Sequence, residues 1–530
     1  MSDLMTHDVL ILGGGLAGLT LALQLRRRFA DLDIRVVERR RHPLPVAAHK
    51  VGESTVEIGA HYLADTVGLR DHLDAAHIRK FGFRFFFSEG RADLDQVPEL
   101  GVRRVFPTPT WQIDRGILEN TLGERVRAAG IAFDDGCTVR RIDAGEGDAP
   151  HTVQIERDGV RETVRARWLV DASGRAGLLK RQFGLAEANA HDVNAVWFRI
   201  DDKLAIDDWC GSDDWRGQCE PPERWRSTNH LCGPGYWAWL IPLGSGAHSV
   251  GIVCDARMHP LEGMNTFERA LDWLAVHQPV LARECASRRD KLLDFLFLRN
   301  FSYGCRQVFS ADRWALTGEA GVFLDPFYSP GTDFIGIANT YVTELIAHDR
   351  AGQPLAPYAN IYQQLYFSFY ENTLSLYRDQ YPLFGDAQVM MAKVIWDYTY
   401  YWGILCQLVM QQRLTDLALF GDLRDLFAEA NTLNASMQAF LRRWSEAGAG
   451  GSAPHLHSQG DLDWFLRMNI GLHDRLDDAG VRARLREHVE RLRSLAATIV
   501  AQARADCPAL DPGDLPCQAT LPTPLFAVAA

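Results

Sequence analysis

A glycine-rich turn near the start of the chain has the spacing that binds a dinucleotide. An apolar run leads into Gly13-x-Gly15-x-x-Gly18, and a helical pattern follows. The three glycines permit a sharp turn, the close approach of a pyrophosphate and tight packing of helix on strand. A second strand, 34–37, ends at Glu38, where an acid can hold the ribose hydroxyls. The alternative is a tight turn in an unrelated α/β protein. The residues predicted to contact the dinucleotide here are Gly13, Gly15, Leu16, Ala17, Gly18 and Glu38.

Two aromatic-rich stretches alternate as β-strands do. Phenylalanines occupy every second position from 81 to 87, directly after Lys80, which predicts a half-buried strand. Trp237 and Trp239 are one residue apart, so their indoles point to the same face of a strand. Taken alone, such a pair is equally typical of a core strand.

Composition and charge describe a globular protein without a nucleic-acid partner. Hydrophobic residues make up 47% of the chain, and the formal net charge of −12 disfavours a nucleic-acid surface. No signal core precedes the first strand and no apolar run could span a bilayer, so we expect a cytoplasmic protein without stable membrane insertion. The ten cysteines lack metal-finger spacing, which suggests buried thiols. His455 and His457 lie beside a Gly/Ser/Pro stretch, so solvated loop histidines are expected there and no metal site.

The order of elements predicts an α/β fold with a Rossmann-type dinucleotide-binding domain, an inserted mixed or antiparallel sheet that forms a substrate domain, and a C-terminal helical region. The core, 1–357, is expected to be discontinuous. Its nucleotide-binding parts are placed at about 1–85, 110–180 and 300–350, the inserted sheet at about 85–110 and 181–299, and the helical region at 358–530. The oligomeric state is open.

Several later turns resemble those of the FAD-dependent aromatic hydroxylases and their relatives. The residues concerned, beyond the first turn, are Arg115, Asp171-x-x-Gly174 and Gly318-Glu319-Ala320. In that class the last turn places an acid and backbone amides near the ribityl and pyrophosphate, and the Gly174 turn helps to bury the cofactor. The resemblance therefore implies FAD, bound by Arg115, Asp171, Gly174, Glu319 and Ala320 in addition to the first turn. The usual aspartate of the last turn is Glu319 here, one methylene longer.

Within that class, the segment from Trp237 to Pro242 matches the WxWxIP signature of the flavin-dependent halogenases. In those enzymes the two indoles wall off the flavin, so that the organic substrate does not react against it. By this resemblance the core is halogenase-like, and the residues that screen the flavin are Trp237, Trp239, Ile241 and Pro242.

The segment 323–334 resembles the halogenase segment that carries the halide site beside the flavin. Chloride or bromide would be held by backbone amides, and Pro330 has no N–H to offer. The implied donors are the amides of Gly331 and Thr332, at a turn before a helix that we predict to begin near Ile335. The dipole of that helix also favours an anion.

Lys80 with Gly82 and Phe85 is similar to the K-x-G-x-x-F pattern of the halogenases that act on phenols and pyrroles. There the lysine lies at the far end of an internal channel and receives hypohalous acid. A lone lysine at the start of a strand is usually a solvated charge, but the neighbouring phenylalanines would partly desolvate this one and favour its neutral amine. The resemblance implies that Lys80 is catalytic, with Lys50 and Arg84 as further candidates.

The resemblance also implies a reaction and its partners. Reduced FAD from a separate flavin reductase, dioxygen and halide would form hypohalous acid, from which Lys80 delivers halogen to an electron-rich ring. Tryptophan halogenases carry a glutamate at the position of Tyr328, so a phenolic or pyrrole-like substrate, free or tethered to a carrier protein, is favoured over free tryptophan. The predicted substrate pocket contains Phe85, Phe87, Tyr328 and Ser329. The helical region with Tyr398, Tyr400, Tyr401 and Trp402 either closes this pocket or is ordinary helical core.

Two other functions remain open at this point. In a flavin monooxygenase or a saturating reductase of the same fold, the tryptophan pair would be only core. In a flavoprotein without turnover, the bound FAD would serve the binding of a partner or carrier protein. A monooxygenase would incorporate oxygen into its product, and a reductase would form product without any need for halide. A flavoprotein without turnover would bind FAD but form no product.

Overall fold

The computed structural model describes residues 6–47, 52–448, 454–518 and 525–526. The strands are β1 Thr6–Leu12, β2 Ile34–Val37, β3 Ile78–Arg79, β4 Phe83–Phe87, β5 Glu99–Gly101, β6 Trp111–Gln112, β7 Ala132–Asp134, β8 Thr138–Asp143, β9 His151–Arg157, β10 Val160–Asp171, β11 Ala186–Glu187, β12 Val193–Ile200, β13 Thr228–Gly233, β14 Tyr236–Pro242, β15 His248–Asp255, β16 Leu292–Leu298, β17 Gly304–Cys305, β18 Trp314–Leu316 and β19 Leu456–Ser458.

The helices are α1 Leu16–Arg28, α2 Glu57–His61, α3 Arg70–Ala76, α4 Arg115–Ala128, α5 Leu178–Gln182, α6 Asp213–Gly217, α7 Phe267–His277, α8 Pro279–Ala286, α9 Gly331–Arg350, α10 Leu355–Ser375, α11 Ala387–Tyr400, α12 Gln407–Met410, α13 Leu417–Asp422, α14 Arg424–Glu446, α15 Asp463–Gly471 and α16 Asp478–Asp506. The predicted α/β class, with mixed sheets and a helical C-terminal part, is confirmed.

The chain forms two compact units, each built from separate segments. The first comprises Met1–His77, Ile113–Asn189 and Ser302–Tyr370, and the second comprises Ile78–Gln112, Ala190–Phe301 and Glu371–Ala530. The C-terminal helices from residue 371 onward are thus grouped with the inserted sheet. The exact boundaries drawn from the sequence stay predictions.

A seven-stranded sheet forms the centre of the first unit, in the order β7-β2-β1-β10-β9-β8, with β18 also paired to β10. Strands β2, β1, β10 and β18 run parallel. Their register places Leu12 opposite both Val37 and Asp171, and Asp171 opposite Leu316. Because the carboxyl ends of parallel strands meet at one edge of a sheet, the turns that follow these four residues lie side by side.

The second unit contains an eight-stranded sheet, in the order β16-β12-β15-β14-β13-β4-β5-β19. One face packs on α7 and α8 through a hydrophobic core that includes Phe86, Leu240 and Leu274. Phe83 lies on the opposite face, where its ring contacts Tyr398 of α11 with centroids 6.1 Å apart. Every residue of β4 is therefore buried, and the prediction of a half-buried strand is wrong because both faces of this sheet are covered.

The C-terminal part of the chain adds a strand to this sheet. β19 pairs in parallel with β5, with His457 opposite Leu100. His457 is only 7% exposed, so the prediction of a solvated loop histidine is wrong. The neighbouring Gly, Ser and Pro residues suggested a loop, but β19 is buried because it pairs with β5, which is far away in the sequence.

All ten cysteines are free, and all but Cys210, Cys507 and Cys517 are buried, as predicted. In the described ranges, three or more His, Cys, Asp or Glu side chains are nowhere grouped so that they could hold a metal ion. None of the helices described above is apolar over enough of its length to cross a bilayer.

A buried ion cluster joins β4, β5 and the segment before β13. The Glu99 carboxylate pairs with Arg84 and accepts a hydrogen bond from Arg224 Nε at 3.0 Å, and Trp215 Nε1 donates to its other oxygen at 3.1 Å. The three charged side chains are at most 1% exposed. Burial raises the pKa of Glu99, but Arg84 and Arg224 lower it more, so the net shift is downward. Arg84, a further candidate for the halogen-carrying role, is thus the counter-ion of a buried acid.

Glu99→Ala should lower the free energy of unfolding by about 3–5 kcal/mol, because two buried guanidinium groups lose their counter-ion. The control, Glu220→Ala, breaks an exposed pair with Arg104 and should cost about 1 kcal/mol or less. Urea unfolding followed by tryptophan fluorescence measures both. Since the folded-state pKa of Glu99 is depressed, the stabilisation is present above the ordinary value near 4.5 and is lost as the pH falls through the lower, folded-state value. Equal stability of Glu99→Ala and the wild type would contradict this account.

Candidate active site

The turn after β1 requires glycine at two positions because backbone fills the space of a side chain. Gly13 has φ +122°, and a Cβ there would overlap the Ala172 carbonyl oxygen. A Cβ on Gly18 would overlap the Gly13 carbonyl oxygen. The glycine turn therefore packs directly against the turn that follows β10.

The N-terminus of α1 is suited to a phosphate. The helix begins after Gly15 without a side-chain cap, and its first turn contains no acid. Its N–H groups and dipole therefore favour an anion. The Glu38 carboxylate accepts hydrogen bonds from the N–H groups of Gly14 and Arg40, each at 2.7 Å, and so holds the glycine turn against the end of β2. These residues fit the pyrophosphate of FAD; contacts of Leu16, Ala17 and Glu38 with the cofactor stay predictions.

Asp171 orders the second turn. Its buried carboxylate accepts hydrogen bonds from the N–H groups of Ser173 at 3.0 Å and Leu179 at 2.8 Å, and burial raises its pKa. Gly174 follows with φ +61°, a conformation that favours glycine. Asp171 thus holds the backbone of this turn in place, and a contact of Asp171 or Gly174 with FAD stays a prediction.

Glu319 reaches from the third turn to the second. It lies in the short 3₁₀ helix Gly318–Ala320, and its Oε2 is 3.1 Å from Arg175 Nε. The Arg175 guanidinium also lies 4.7 Å from the Phe323 ring centroid, and the Tyr303 hydroxyl donates to the Glu319 carbonyl at 2.7 Å. Both charged side chains are about one-third exposed. The carboxylate therefore joins two turns, while the predicted contacts of Glu319 and Ala320 with FAD are untested.

Arg115 is the first residue of α4, and its guanidinium donates to Glu119 one helical turn later at 2.6 Å. Asp114 caps the helix by accepting a hydrogen bond from the Gly116 N–H at 3.1 Å. Glu119 is fully buried, so the ion pair limits where the Arg115 side chain can point. Its contact with FAD stays a prediction.

The helix of the proposed halide segment begins earlier than expected. α9 starts at Gly331, so Gly331 and Thr332 form its first turn instead of preceding it, and the predicted start near Ile335 is wrong. The Pro-Gly pair is typical of a loop, but here Pro330 occupies the N-cap position. No side chain caps this end, and a Cβ on Gly331 would meet nothing within 4 Å. The amides of an uncapped helix N-terminus beside open space suit a small anion.

Asp333 brings a negative charge into the same first turn. Its Oδ1 accepts a hydrogen bond from the Gly59 N–H at 2.7 Å, and a Cβ on Gly59 would lie 2.8 Å from Thr332 Cβ. Helix α2 thereby holds the start of α9 in place. The carboxylate opposes an anion, so the oriented amides and the open space at Gly331 are the features that support a halide there.

Tyr328 and Ser329 form the turn before α9. Tyr328 is 9% exposed and its ring lies 4.7 Å from that of Phe327. Ser329 has φ +54°, and its N–H donates to the Pro326 carbonyl at 2.9 Å. The two residues close the segment that leads into the helix; a contact with substrate stays a prediction.

Lys80, in the second unit, is buried beside an aromatic ring. Its side chain is 2% exposed, and Nζ lies 3.4 Å from the Phe83 ring centroid. Its N–H donates to the Thr110 carbonyl at 2.9 Å, and Gly82 bends the chain with φ +79° between the lysine and the ring. Lys80 is therefore removed from solvent, and its catalytic role stays a prediction. Lys50, another candidate, lies outside the described residues.

Trp237 and Trp239 point to the same face of β14, with ring centroids 5.6 Å apart. The Trp237 Nε1 donates to the Tyr381 hydroxyl at 3.0 Å, and the Trp239 Nε1 donates to Ser249 Oγ at 3.1 Å. A Cβ on Gly251 would overlap the Trp239 ring. The pair is therefore held by specific partners. Ile241 and Pro242 continue the buried strand to its end, and the screening role of all four stays a prediction.

His230 is a polar neighbour of this site that sequence reasoning missed. Its ring stacks on Phe85 at 4.7 Å and contacts Phe83 and Trp237, each at 5.1 Å. The parallel pairing of β13 with β4 places His230 directly opposite Phe85. No local motif marks this histidine, and only strand pairing reveals it. Phe87 ends the same strand and is also buried.

The sequence matches the model of the FAD binding domain family over residues 6–244. The flavin-dependent halogenase chlA of Dictyostelium discoideum is 26% identical over 436 residues, which cover 75% of this chain and 70% of the relative. A chlorinase of Pseudomonas fluorescens that acts on 1H-pyrrole-2-carbonyl on a peptidyl-carrier protein is 26% identical over 347 residues, 61% of this chain and 72% of the relative.

Solved structures of halogenases share the fold. Halogenase PltM, in a complex with phloroglucinol and FAD, superposes with a TM-score of 0.67 at 16% identity, covering 92% of this chain and 96% of that one. The flavin-dependent brominase Bmp2 gives 0.57 at 23% identity, covering 72% and 89%. The chain thus contains an FAD binding domain, its curated relatives are flavin-dependent halogenases, and it shares the fold of solved halogenases, as the resemblance predicted.

Proposed function

We propose that the protein halogenates an electron-rich ring, phenolic or pyrrole-like, with FAD, dioxygen and chloride or bromide. The observation that carries this proposal is Lys80, buried against Phe83 on the sheet that also holds Trp237 and Trp239. The similarity to a pyrrole chlorinase and to a halogenase bound to phloroglucinol supports the choice of ring. The substrate is a small aromatic molecule or an aromatic group tethered to a carrier protein.

In this mechanism the turns after β1, β10 and β18 bind FAD. When bound and reduced, FAD supplies the electrons that activate dioxygen toward halide. The amides of Gly331 and Thr332 hold the halide. Lys80 takes up hypohalous acid, as a haloamine or through a hydrogen bond, and passes electrophilic halogen to the ring, which then loses the proton from the same carbon. Trp237 and Trp239 keep the ring from reacting at the flavin.

Reduced FAD comes from a separate flavin reductase in this proposal, and the reaction takes place in the cytoplasm. A phenolate or pyrrole is already activated toward electrophiles, so the protein needs only to position the ring and exclude water. Tyr328, in place of the glutamate of tryptophan halogenases, favours such a ring over free tryptophan.

The central experiment combines the purified protein with FAD, a flavin reductase, NADH, chloride or bromide, and a panel of phenols and carrier-bound pyrroles. Mass spectrometry should detect halogenated product that depends on halide. Oxygen incorporation would instead identify a monooxygenase, and a reduced product without halide dependence would identify a reductase. Bound FAD without any product on the whole panel would favour the non-turnover flavoprotein.

Lys80→Ala and Lys80→Gln should reduce halogenated product on the order of 100-fold or more, because each removes the group that holds the reactive halogen. Flavin oxidation should continue in both variants. The measurement is product formation by mass spectrometry together with NADH consumption.

The matched control is Lys203→Ala. Lys203 also lies over an aromatic ring, 3.6 Å from that of Trp225, but its side chain is exposed. This variant should keep wild-type product formation. Wild-type product from Lys80→Ala would refute the catalytic role of the lysine.

Gly331→Ala should raise the halide concentration needed for half-maximal product formation, because the added methyl group enters the open space beside the first amides of α9. The fold should tolerate it, so the melting temperature and FAD affinity should not change. Gly421→Ala is the control, since a Cβ there also meets nothing within 4 Å. If the halide dependence of Gly331→Ala equals that of the wild type, the halide does not bind at this end of α9.

A further inference from the structure

One ion pair links the second and third of the turns that are proposed to bind FAD. These turns follow β10 and β18, which are adjacent and in register, with Asp171 opposite Leu316. Arg175 extends from the second turn, Glu319 from the third, and their charged ends are 3.1 Å apart. The pair spans the two turns that the family uses to enclose the cofactor.

The surroundings of this pair fix its position without burying it. The Arg175 guanidinium lies over two rings, 4.7 Å from the centroid of Phe323 and 5.5 Å from that of Tyr303. The Tyr303 hydroxyl in turn donates to the Glu319 carbonyl. With about one-third of each charged side chain exposed, water and salt reach the pair, and such pairs break at low energetic cost.

We infer that Arg175 and Glu319 form a reversible clasp that sets how fast FAD leaves and enters the protein. This inference rests on the proposed function in one respect: an enzyme that takes reduced FAD from a separate reductase must exchange its cofactor. A glutamate at position 319 serves this purpose because its extra methylene reaches Arg175, whereas the family's aspartate reaches the cofactor. Arg175 and Glu319 are thus positioning residues that act through the turns.

The test measures the rate of FAD release from the loaded protein, by the rise in flavin fluorescence after large dilution into FAD-free buffer. Arg175→Gln and Glu319→Gln should each release FAD about two- to five-fold faster than the wild type. The double variant should release it no faster than either single variant, because both remove the same interaction. The swap Arg175→Glu with Glu319→Arg should restore slow release. Raising the salt concentration should speed release from the wild type and leave Glu319→Gln nearly unchanged.

Glu319→Asp distinguishes the clasp from a direct contact with FAD. A shorter acid places its oxygens farther from Arg175 and weakens the ion pair, so the clasp predicts faster release. A direct contact of the family type predicts slower release and tighter binding. The control is Glu162→Gln, which breaks the ion pair with Arg35 near the start of β10 and should leave release unchanged. Wild-type release from Arg175→Gln, additive effects in the double variant, or tighter binding by Glu319→Asp would each overturn the clasp. FAD release is measurable whether or not the protein halogenates, so failure of the proposed function would be seen separately.

Discussion

The register of four parallel strands is the constraint on which the cofactor site depends. Leu12 pairs with Val37 and Asp171, and Asp171 pairs with Leu316, so the strands end together. The chain must turn after each of them at the same sheet edge, and the turns after β1, β10 and β18 carry residues predicted to bind FAD. Close packing then restricts which residues the first turn can contain. The backbone of the turn after Asp171 occupies the space that a side chain at Gly13 would need. A one-residue slip of any strand would separate groups that the site needs side by side.

Two helix N-termini in the first unit differ in how strongly they attract an anion. The start of α1 has no acid and no side-chain cap, which suits a tightly held pyrophosphate. The start of α9 is also uncapped, but Asp333 lies in its first turn. A carboxylate there weakens the attraction for an anion. This difference fits their proposed roles, since FAD must be held throughout each turnover, whereas the halide is consumed within it.

In the second unit, the buried Arg84–Glu99 ion cluster and the ring beside Lys80 lie on opposite faces of strand β4. Arg84 points to the buried cluster, where its guanidinium and that of Arg224 both pair with Glu99. Phe83 and Phe85 point to the other face, where Lys80 and His230 meet aromatic rings. Alternation along β4 thus places the Phe83 ring that Lys80 contacts on the face opposite Arg84.

The sequence by itself determined the dinucleotide turn and the α/β class, because the spacing of glycines and acids and the period of apolar residues are local properties. FAD and the class of enzyme followed from the resemblance of its motifs to those of known families. It also singled out Lys80 and the tryptophan pair. Only the tertiary structure decided that β4 is buried on both faces, that His230 joins the aromatic site and that Glu319 pairs with Arg175. These depend on contacts between segments far apart in the chain, and a local pattern carries no record of which segment covers it. The start of α9 was misplaced for a related reason: Pro330-Gly331 is locally typical of a loop, while the turn at Ser329 and the contact of Asp333 with Gly59 make it the first turn of a helix.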